Sequence, residues 1–325
     1  ELVERTKIPV VTTVMGKGAI PTDHPYYIGN SGMHGRYAAN LAVSECDVLF
    51  SIGTRFNDRI TGDLNEFAPN AKIVHVDIDT ASISRNVVVD VPIVADAKLA
   101  IQRLLEWAEP QKTEKWRACI AQWEEENPLQ MRRDRGLTPQ MIMEGINQEF
   151  DEGIIVTDVG QHQMWVAQHY KFEKPRTFVS SGGLGTMGFG LGAAIGSYIA
   201  TEKPVVLFTG DGSFGMNLNE LATAVSCNAP VIVVIMNNGV LGMVRQWQTL
   251  FFNKHYSNTT LCRQTDFVKL AEAFGALGFR AENTDELSKA LDDAIAAKRP
   301  VVIDCKIDKD EFVLPMPVSY THLTL

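Results

Sequence analysis

The chain has 325 residues, 45% of them hydrophobic, and a formal net charge of −9. That is enough apolar content for two buried cores, and an acidic balance without a basic run excludes a general nucleic-acid or membrane-surface binder. The longest apolar runs, such as 231–236, are strand-sized and far short of the roughly 20 residues a membrane helix needs, and the first residues carry no secretory pattern. In chain order, Glu1 to Glu4 reads as the end of a helix. A β-branched strand over 9–14 follows, then a helix over Tyr37–Ser44, strands at Val48–Ile52, Lys72–Asp77 and Val91–Val94, and an amphipathic helix over 97–107. Alternating strands and helices imply a parallel sheet.

Residues 110–135 differ, being rich in charge and containing Trp116, Trp123 and the run Glu124-Glu125-Glu126. They read as a helix linking two domains, with the acidic run on a solvated face. Thr138-Pro139 has the form of an N-cap with Pro at the first helical position. Further apolar runs at 153–157, 177–179, 205–208, 231–236 and 301–305 repeat the alternation. The expected architecture is α/β, with two doubly wound parallel-sheet domains. The expected boundaries are 1–109, a linking region at 110–137, and 138–317, with the patternless 318–325 expected to be a non-native appendage. The five cysteines, Cys46, Cys119, Cys227, Cys262 and Cys305, are scattered without a CxxC pair. That argues against a disulfide framework or zinc site and fits a reducing cytosol. Cys227 and Cys305 lie in apolar contexts and read as buried small hydrophobes.

In an open parallel sheet, ligands bind beyond the carboxyl ends of the strands. Polar and glycine clusters occur at four such ends: Asp158 to Gln163, Ser180 to Met187, Thr209 to Ser213, and Asn237-Asn238-Gly239. Residues 216–227 have apolar positions at helical spacing, so the last two clusters are joined by one right-handed βαβ crossover. Asp211 and Asn238 therefore belong at the same sheet edge. Mg²⁺ takes hard oxygen ligands together with phosphate oxygens. Gly210 and Gly212 allow close backbone approach, and a helix beginning near Gly215 would offer amides to an anion. A lone Gly-Asp-Gly is a turn; with Asn-Asn at this spacing it points to a diphosphate bridged by Mg²⁺. The Gly183–Gly188 segment matches GxGxxG, but its acidic candidate, Glu202, precedes the next strand and cannot reach a ribose.

Gly210-Asp211-Gly212-Ser213-Phe214 followed by Asn237-Asn238 resembles the thiamine-diphosphate signature shared by pyruvate oxidases, pyruvate decarboxylases and acetolactate synthases. VGQHQMW at 159–165, SGGLGTMGFG at 181–190 and GMVRQWQTLF at 242–251 are similar to the acetolactate synthase catalytic large subunit. MGKG at 15–18, GMHG at 32–35 and RFNDRITG at 55–62 extend the resemblance to nearly the whole chain, as far as Met316. It implies decarboxylation of pyruvate on thiamine diphosphate and transfer of the hydroxyethyl group to pyruvate or 2-ketobutyrate. This is the first common step of branched-chain amino acid biosynthesis, in the cytoplasm.

The resemblance assigns Mg²⁺ to Asp211, Asn238 and the carbonyl of Val240. It assigns the diphosphate to Gly210, Gly212 and Ser213 with Gln161 and His162, and further cofactor contacts to Gly185, Leu241 and Gly242. Met187 would prop the cofactor in a bent form, a task that suits a polarisable thioether. Arg59 would recognise the second acid's carboxylate, Trp247 would favour 2-ketobutyrate, and Met243 would line the substrate pocket. On the residues alone, Met187 and Trp247 would be core and Arg59 surface. FAD, bound without net redox turnover, would be lined by His34, Gly53, Arg55, Asp77 and Asp96. The resemblance also implies a homodimer or tetramer, with a small regulatory subunit as a further partner.

Family members carry an N-terminal pyrimidine-binding domain whose glutamate activates the cofactor, and their site lies between two subunits. This chain starts after that domain, so alone it is expected to be inactive. Asn57 stands where many relatives have Asp, and Gly192 where many have Pro. The alternatives are a pyruvate oxidase, a glyoxylate carboligase or a non-catalytic cofactor-binding homologue. Arg59 with Trp247 argues against the first two, and intact Asp211 and Asn238 argue against the third.

Overall fold

The computed structural model describes residues 1–134, 136–150, 153–262 and 265–316; the appendage expected at 318–325 lies outside them. The chain forms two compact units, one of residues 1–16, 22–129 and the stretch from Leu314, the other of 17–21 and 130–313.

The first unit contains α1 (Leu2–Thr6), β1 (Val10–Thr12), β2 (Tyr27–Asn30), α2 (Tyr37–Ser44), β3 (Val48–Ile52), α3 (Asp58–Thr61), β4 (Lys72–Asp77), β5 (Val91–Val94), α4 (Ala97–Leu105) and α5 (Glu114–Glu126). β1 pairs with β2, and β3, β4 and β5 form a second sheet, every pairing parallel. The helix expected to link the domains, α5, packs within this unit. Its Ile120 is buried with Ala38 and Ala42 of α2, flanked by Trp116 and Trp123, whose rings meet edge-on at 5.5 Å. Glu124, expected on a solvated face, is half-buried and bonds Arg36 at 2.8 Å.

The second unit contains α6 (Pro139–Glu149), β6 (Ile154–Thr157), α7 (Gln161–His169), β7 (Phe178–Ser180), α8 (Phe189–Thr201), β8 (Val205–Gly210), α9 (Asp211–Asn217), α10 (Leu221–Ser226), β9 (Val231–Asn237), α11 (Gly242–Phe251), α12 (Phe267–Ala273), β10 (Leu277–Ala281), α13 (Thr284–Ala297) and β11 (Val301–Lys306). Thr138 caps α6, its hydroxyl accepting from the Met141 amide, with Pro139 at the first helical position. The six strands lie in the order β10-β11-β9-β8-β6-β7, all parallel. Side chains alternate across the strands. Val206, Phe208, Val234 and Met236 pack with Ile142, Ile146, Trp165 and Leu291, while Val205, Leu207, Val233 and Ile235 pack with Leu191, Ile195, Phe214 and Phe267. Helices cover both faces, which is why the central strands read as unbroken apolar runs.

Three expectations change. Residues 216–227 are not one helix but the end of α9, a 3₁₀ turn at Leu218–Glu220, and α10. β2 and β10 were not foreseen; β10 is an edge strand carrying Gly278 and Arg280, so no apolar run marks it. Cys227 is exposed, because it caps the outer end of α10, whereas Cys305 is buried in β11.

Burial sets the expected cost of truncation. Leu207 in β8 is fully buried, and Leu184 is 94% exposed. Leu207→Ala should lower stability by about 2–5 kcal/mol through lost transfer energy and a residual cavity. Leu184→Ala should stay within about 0.5 kcal/mol. Urea unfolding midpoints of the two variants test this directly.

Candidate functional site

The sheet changes direction between β6 and β8, since β7 lies beyond β6 while β9 and β11 lie beyond β8. Such a switch point opens a crevice at the carboxyl ends of the strands. β8 and β9 run side by side, Gly210 opposite Met236, so the residues after each strand emerge together. Asp211, Asn238 and Val240 line one cavity there. α9 starts at Asp211, four residues before the position the spacing predicts, and Asp211, Gly212 and Ser213 are buried at its head. The Ser213 hydroxyl donates to the Val159 carbonyl at 2.9 Å, tying this turn to the end of β6.

The two asparagines divide their tasks. Asn237 donates to the buried Asp304 carboxylate of β11 at 2.8 Å. Asn238 lines the cavity, and its Oδ1 accepts the Val240 amide at 3.1 Å. The segment 259–261 pairs with this turn: Leu241 donates to the Thr259 carbonyl and Leu261 to that of Gly239. In that antiparallel pattern the peptide groups of Val240 itself face away from the partner segment.

His162 is buried at the head of α7. Burial lowers its pKa to about 3, against the opposing effect of its bond to the Asp158 carbonyl, so the ring is neutral. Its Nε2 is buried with no hydrogen-bond partner, and such an atom is costly to leave unsatisfied. A bound anion would favour the protonated ring, turning Nε2 into a donor. Gly210 and Gly212 keep the crevice open. A Cβ on Gly210 would come within 3.1 Å of the His162 ring, and one on Gly212 within 2.9 Å of Leu241. The Met187 methyl lies near Gly212, at 3.8 Å from such a Cβ. A carboxylate, an amide oxygen, an outward peptide group, an unsatisfied imidazole and a cradle that a Cβ would fill make a donor set suited to a Mg²⁺-bridged diphosphate.

Of the other residues singled out from sequence, Gln161, Leu241, Gly242 and Met243 also line this cavity. Gly185 does not; it sits in the exposed 182–186 loop, its amide bonded to the Ser181 carbonyl. Trp247 is half-buried on another face of α11, its ring 5.2 Å from Phe251, and lines a separate groove with Phe252 and His255. Arg59 belongs to the first unit, exposed on α3 beside Asp58. Gly53, Arg55, Asp77 and Asp96 come together around a cavity of about 610 Å³ at the carboxyl ends of β3, β4 and β5. His34 is buried away from that lining. Asp96 also caps α4, accepting from the Lys98 and Leu99 amides.

Two residues have roles that the sequence did not assign to them. Asp158 is buried, and burial raises its pKa. Its Oδ1 accepts the Gly188 amide at 2.8 Å and its Oδ2 the Thr209 hydroxyl at 3.2 Å. It thereby ties the loop carrying Met187 to the end of β8. Its position after an apolar run was the available signal. Gln246, fully buried on α11, bonds Gln161; no local pattern marks it.

Residues 158–305 match the family described as "Thiamine pyrophosphate enzyme, C-terminal TPP binding domain", and residues 1–104 match "Thiamine pyrophosphate enzyme, central domain". The chain is 47% identical to a probable acetolactate synthase large subunit of Methanocaldococcus jannaschii, over 99% of the chain and 56% of that protein. It is 43% identical to the acetolactate synthase large subunit of Pyropia yezoensis, over 97% and 55%. It is 40% identical to acetolactate synthase isozyme 3 large subunit of Escherichia coli, over 98% and 58%. The chain thus spans somewhat more than half the length of these relatives.

The state of His162 has a measurable consequence. Its folded pKa of about 3 lies below the unfolded value near 6.5. Between these values the unfolded chain takes a proton that the folded one does not, so stability falls as pH drops through the window. From pH 7 to pH 5 this amounts to about 2 kcal/mol. Urea unfolding at the two pH values should show that loss in the cofactor-free protein and not in His162→Phe.

Proposed function

The chain belongs to the thiamine pyrophosphate enzymes, and on that premise we propose that its complete protein is an acetolactate synthase large subunit. The activity proposed is decarboxylation of pyruvate and transfer of the hydroxyethyl group to pyruvate or 2-ketobutyrate, the first common step of branched-chain amino acid biosynthesis. The observation that carries this reading is the convergence of Asp211, Asn238 and Val240 in one cavity at the paired ends of β8 and β9. Similarity over nearly the whole of this chain to proteins named acetolactate synthase large subunit narrows the chemistry.

In this reading Asp211, the Asn238 amide oxygen and the Val240 carbonyl hold Mg²⁺ against a diphosphate. Gly210, Gly212 and Ser213 leave room for its oxygens, and His162 donates to them once protonated. Thiamine diphosphate, when bound, supplies the electron sink for decarboxylation. Met187 and Met243 present apolar surface that keeps water from the reacting region. Arg59, through its guanidinium fork, is assigned the carboxylate of the second acid, and Trp247 the choice between the two acceptors. FAD is assigned to the cavity of the first unit, where Arg55 suits its phosphates and Asp77 its ribose hydroxyls. A homodimer or tetramer, a small regulatory subunit and a cytoplasmic location complete the proposal. Among the described residues no helix is long and apolar enough to cross a membrane.

Asp211→Ala should weaken Mg²⁺-dependent thiamine diphosphate binding at least about 100-fold, since a charged ligand is lost from a buried site; calorimetric titration reads it. Unchanged binding would count against the metal role. The complete protein should convert pyruvate to acetolactate, and acetate or acetyl phosphate as the main product would place it with the pyruvate oxidases.

Arg55→Ala should weaken FAD about 10–100-fold, the worth of one or two charge-assisted hydrogen bonds. It should leave thiamine diphosphate affinity unchanged. Flavin retained through gel filtration by both the wild type and the variant would remove Arg55 from that site.

A further inference from the structure

Three side-chain amides stand in series between the backbone of Val313 and the cavity face of Asn238. The oxygen and nitrogen of an amide are nearly alike in shape, so only the neighbours decide which way each points. Here the neighbours leave one solution. The Val313 amide donates to Gln246 Oε1 at 2.9 Å, and the Val313 carbonyl accepts from Gln246 Nε2 at 2.9 Å. A backbone N–H can only donate and a backbone carbonyl can only accept, so the pair fixes the orientation of Gln246. Its Oε1 then also takes the Gln161 Nε2 donor at 3.0 Å, and that nitrogen donates a second time to the Glu311 carbonyl at 3.0 Å. Gln161 must therefore turn its Oε1 toward Asn238, whose Nδ2 donates to it at 3.4 Å. Asn238 is left with its oxygen on the other side, where it accepts the Val240 amide. A flipped Asn238 would set its NH₂ against that N–H and aim donors at a cation.

We propose that Gln246 is a positioning residue which, through Gln161, holds Asn238 oxygen-first toward Mg²⁺ and so links the backbone at Val313 to metal affinity. This rests on the thiamine-diphosphate reading of the cavity. The surroundings are built for the junction. Gln246 is fully buried, where an unsatisfied amide would be costly. Gly242 stands where any Cβ would overlap the Gln161 amide and crowd Asn238 Nδ2. Gln161, which also lines the cavity, has its amide bonded to Gln246, Glu311 and Asn238.

The test is Mg²⁺ titration of the complete protein at saturating thiamine diphosphate, followed by calorimetry. Gln246→Leu should weaken Mg²⁺ about 10–100-fold, the usual cost of losing a group that orients a metal ligand. Gln161→Leu should do the same. The double variant should lose no more than the worse single one, because the two act in series. The control is Asn238→Asp, whose carboxylate presents oxygen either way; in that background Gln246→Leu should leave Mg²⁺ affinity unchanged. Unchanged affinity of Gln246→Leu in the native background overturns the proposal. So does an equal loss in the Asn238→Asp background, which would mark general loosening of α11. Should Gln246→Leu fail to fold, Gln161→Leu with the same control decides the matter. A wild type that binds no Mg²⁺-dependent thiamine diphosphate sinks the cofactor reading and the relay together; a binding wild type with unaffected variants sinks the relay alone.

Discussion

The parallel pairing of β8 with β9 governs the second unit. Their partners run from Val205 opposite Val231 to Gly210 opposite Met236, and almost every residue of both strands is buried. A shift of one residue would exchange the two faces, moving Phe208 and Val234 out of one core and Leu207 and Val233 out of the other. The register is therefore fixed by some of the largest apolar side chains in the unit, and the polar residues just past the strands inherit that precision. Asp211 and Asn238 line the same cavity because the register of the strands before them brings their carboxyl ends together.

The same constraint explains what could be read in the sequence. Central strands covered on both faces appear as apolar runs, so β6, β8, β9 and β11 were legible, together with the clusters at their carboxyl ends; β3 and β4, less buried, were legible from their β-branched and aromatic residues. What stayed hidden depends on contacts far apart in the chain. β10 is an edge strand, paired among the described residues with β11 alone, so it needs little apolar character. The break between α9 and α10 leaves Met216, Leu218 and Leu221 at helical spacing, because an apolar stripe does not record where the helical hydrogen bonds lapse. Gln246 and Asp158 are single polar residues whose meaning lies in partners 67 and 30 positions away. The resemblance placed Gly185 beside the cofactor, whereas the loop that carries it is exposed here.

The first unit applies the same rule with less material. Gly53 follows β3, Asp77 closes β4 and Asp96 follows β5, and these three strand ends surround one cavity. Its strands are short and partly exposed, and Val91 and Val94 lie open, so the cavity is framed by caps more than by core. Asp96 holds the start of α4 and Asp77 accepts the Asp79 amide. Carboxylates that fix the backbone in this way offer a ligand only their remaining lone pairs, and they can only accept.

Buried polar groups then divide the labour around the cavity of the second unit. Asp304 on β11 is fully buried, and Lys306 and Arg280 approach its Oδ2 at 3.3 and 3.6 Å while Asn237 donates to Oδ1. A buried charge persists only when it is compensated in this manner. The effect is to lock the end of β9 to β11 one residue before Asn238. Asp158 performs the matching task on the other side, joining the end of β8 to the loop that carries Met187. Neither carboxylate lines the cavity, and both are spent on the scaffold. Asp211 is a carboxylate that does line it, and the amide series from Val313 fixes the Asn238 nitrogen toward Gln161 and its oxygen toward the Val240 amide. The polar lining of this cavity is thus oriented by hydrogen bonds that reach back to the scaffold behind it.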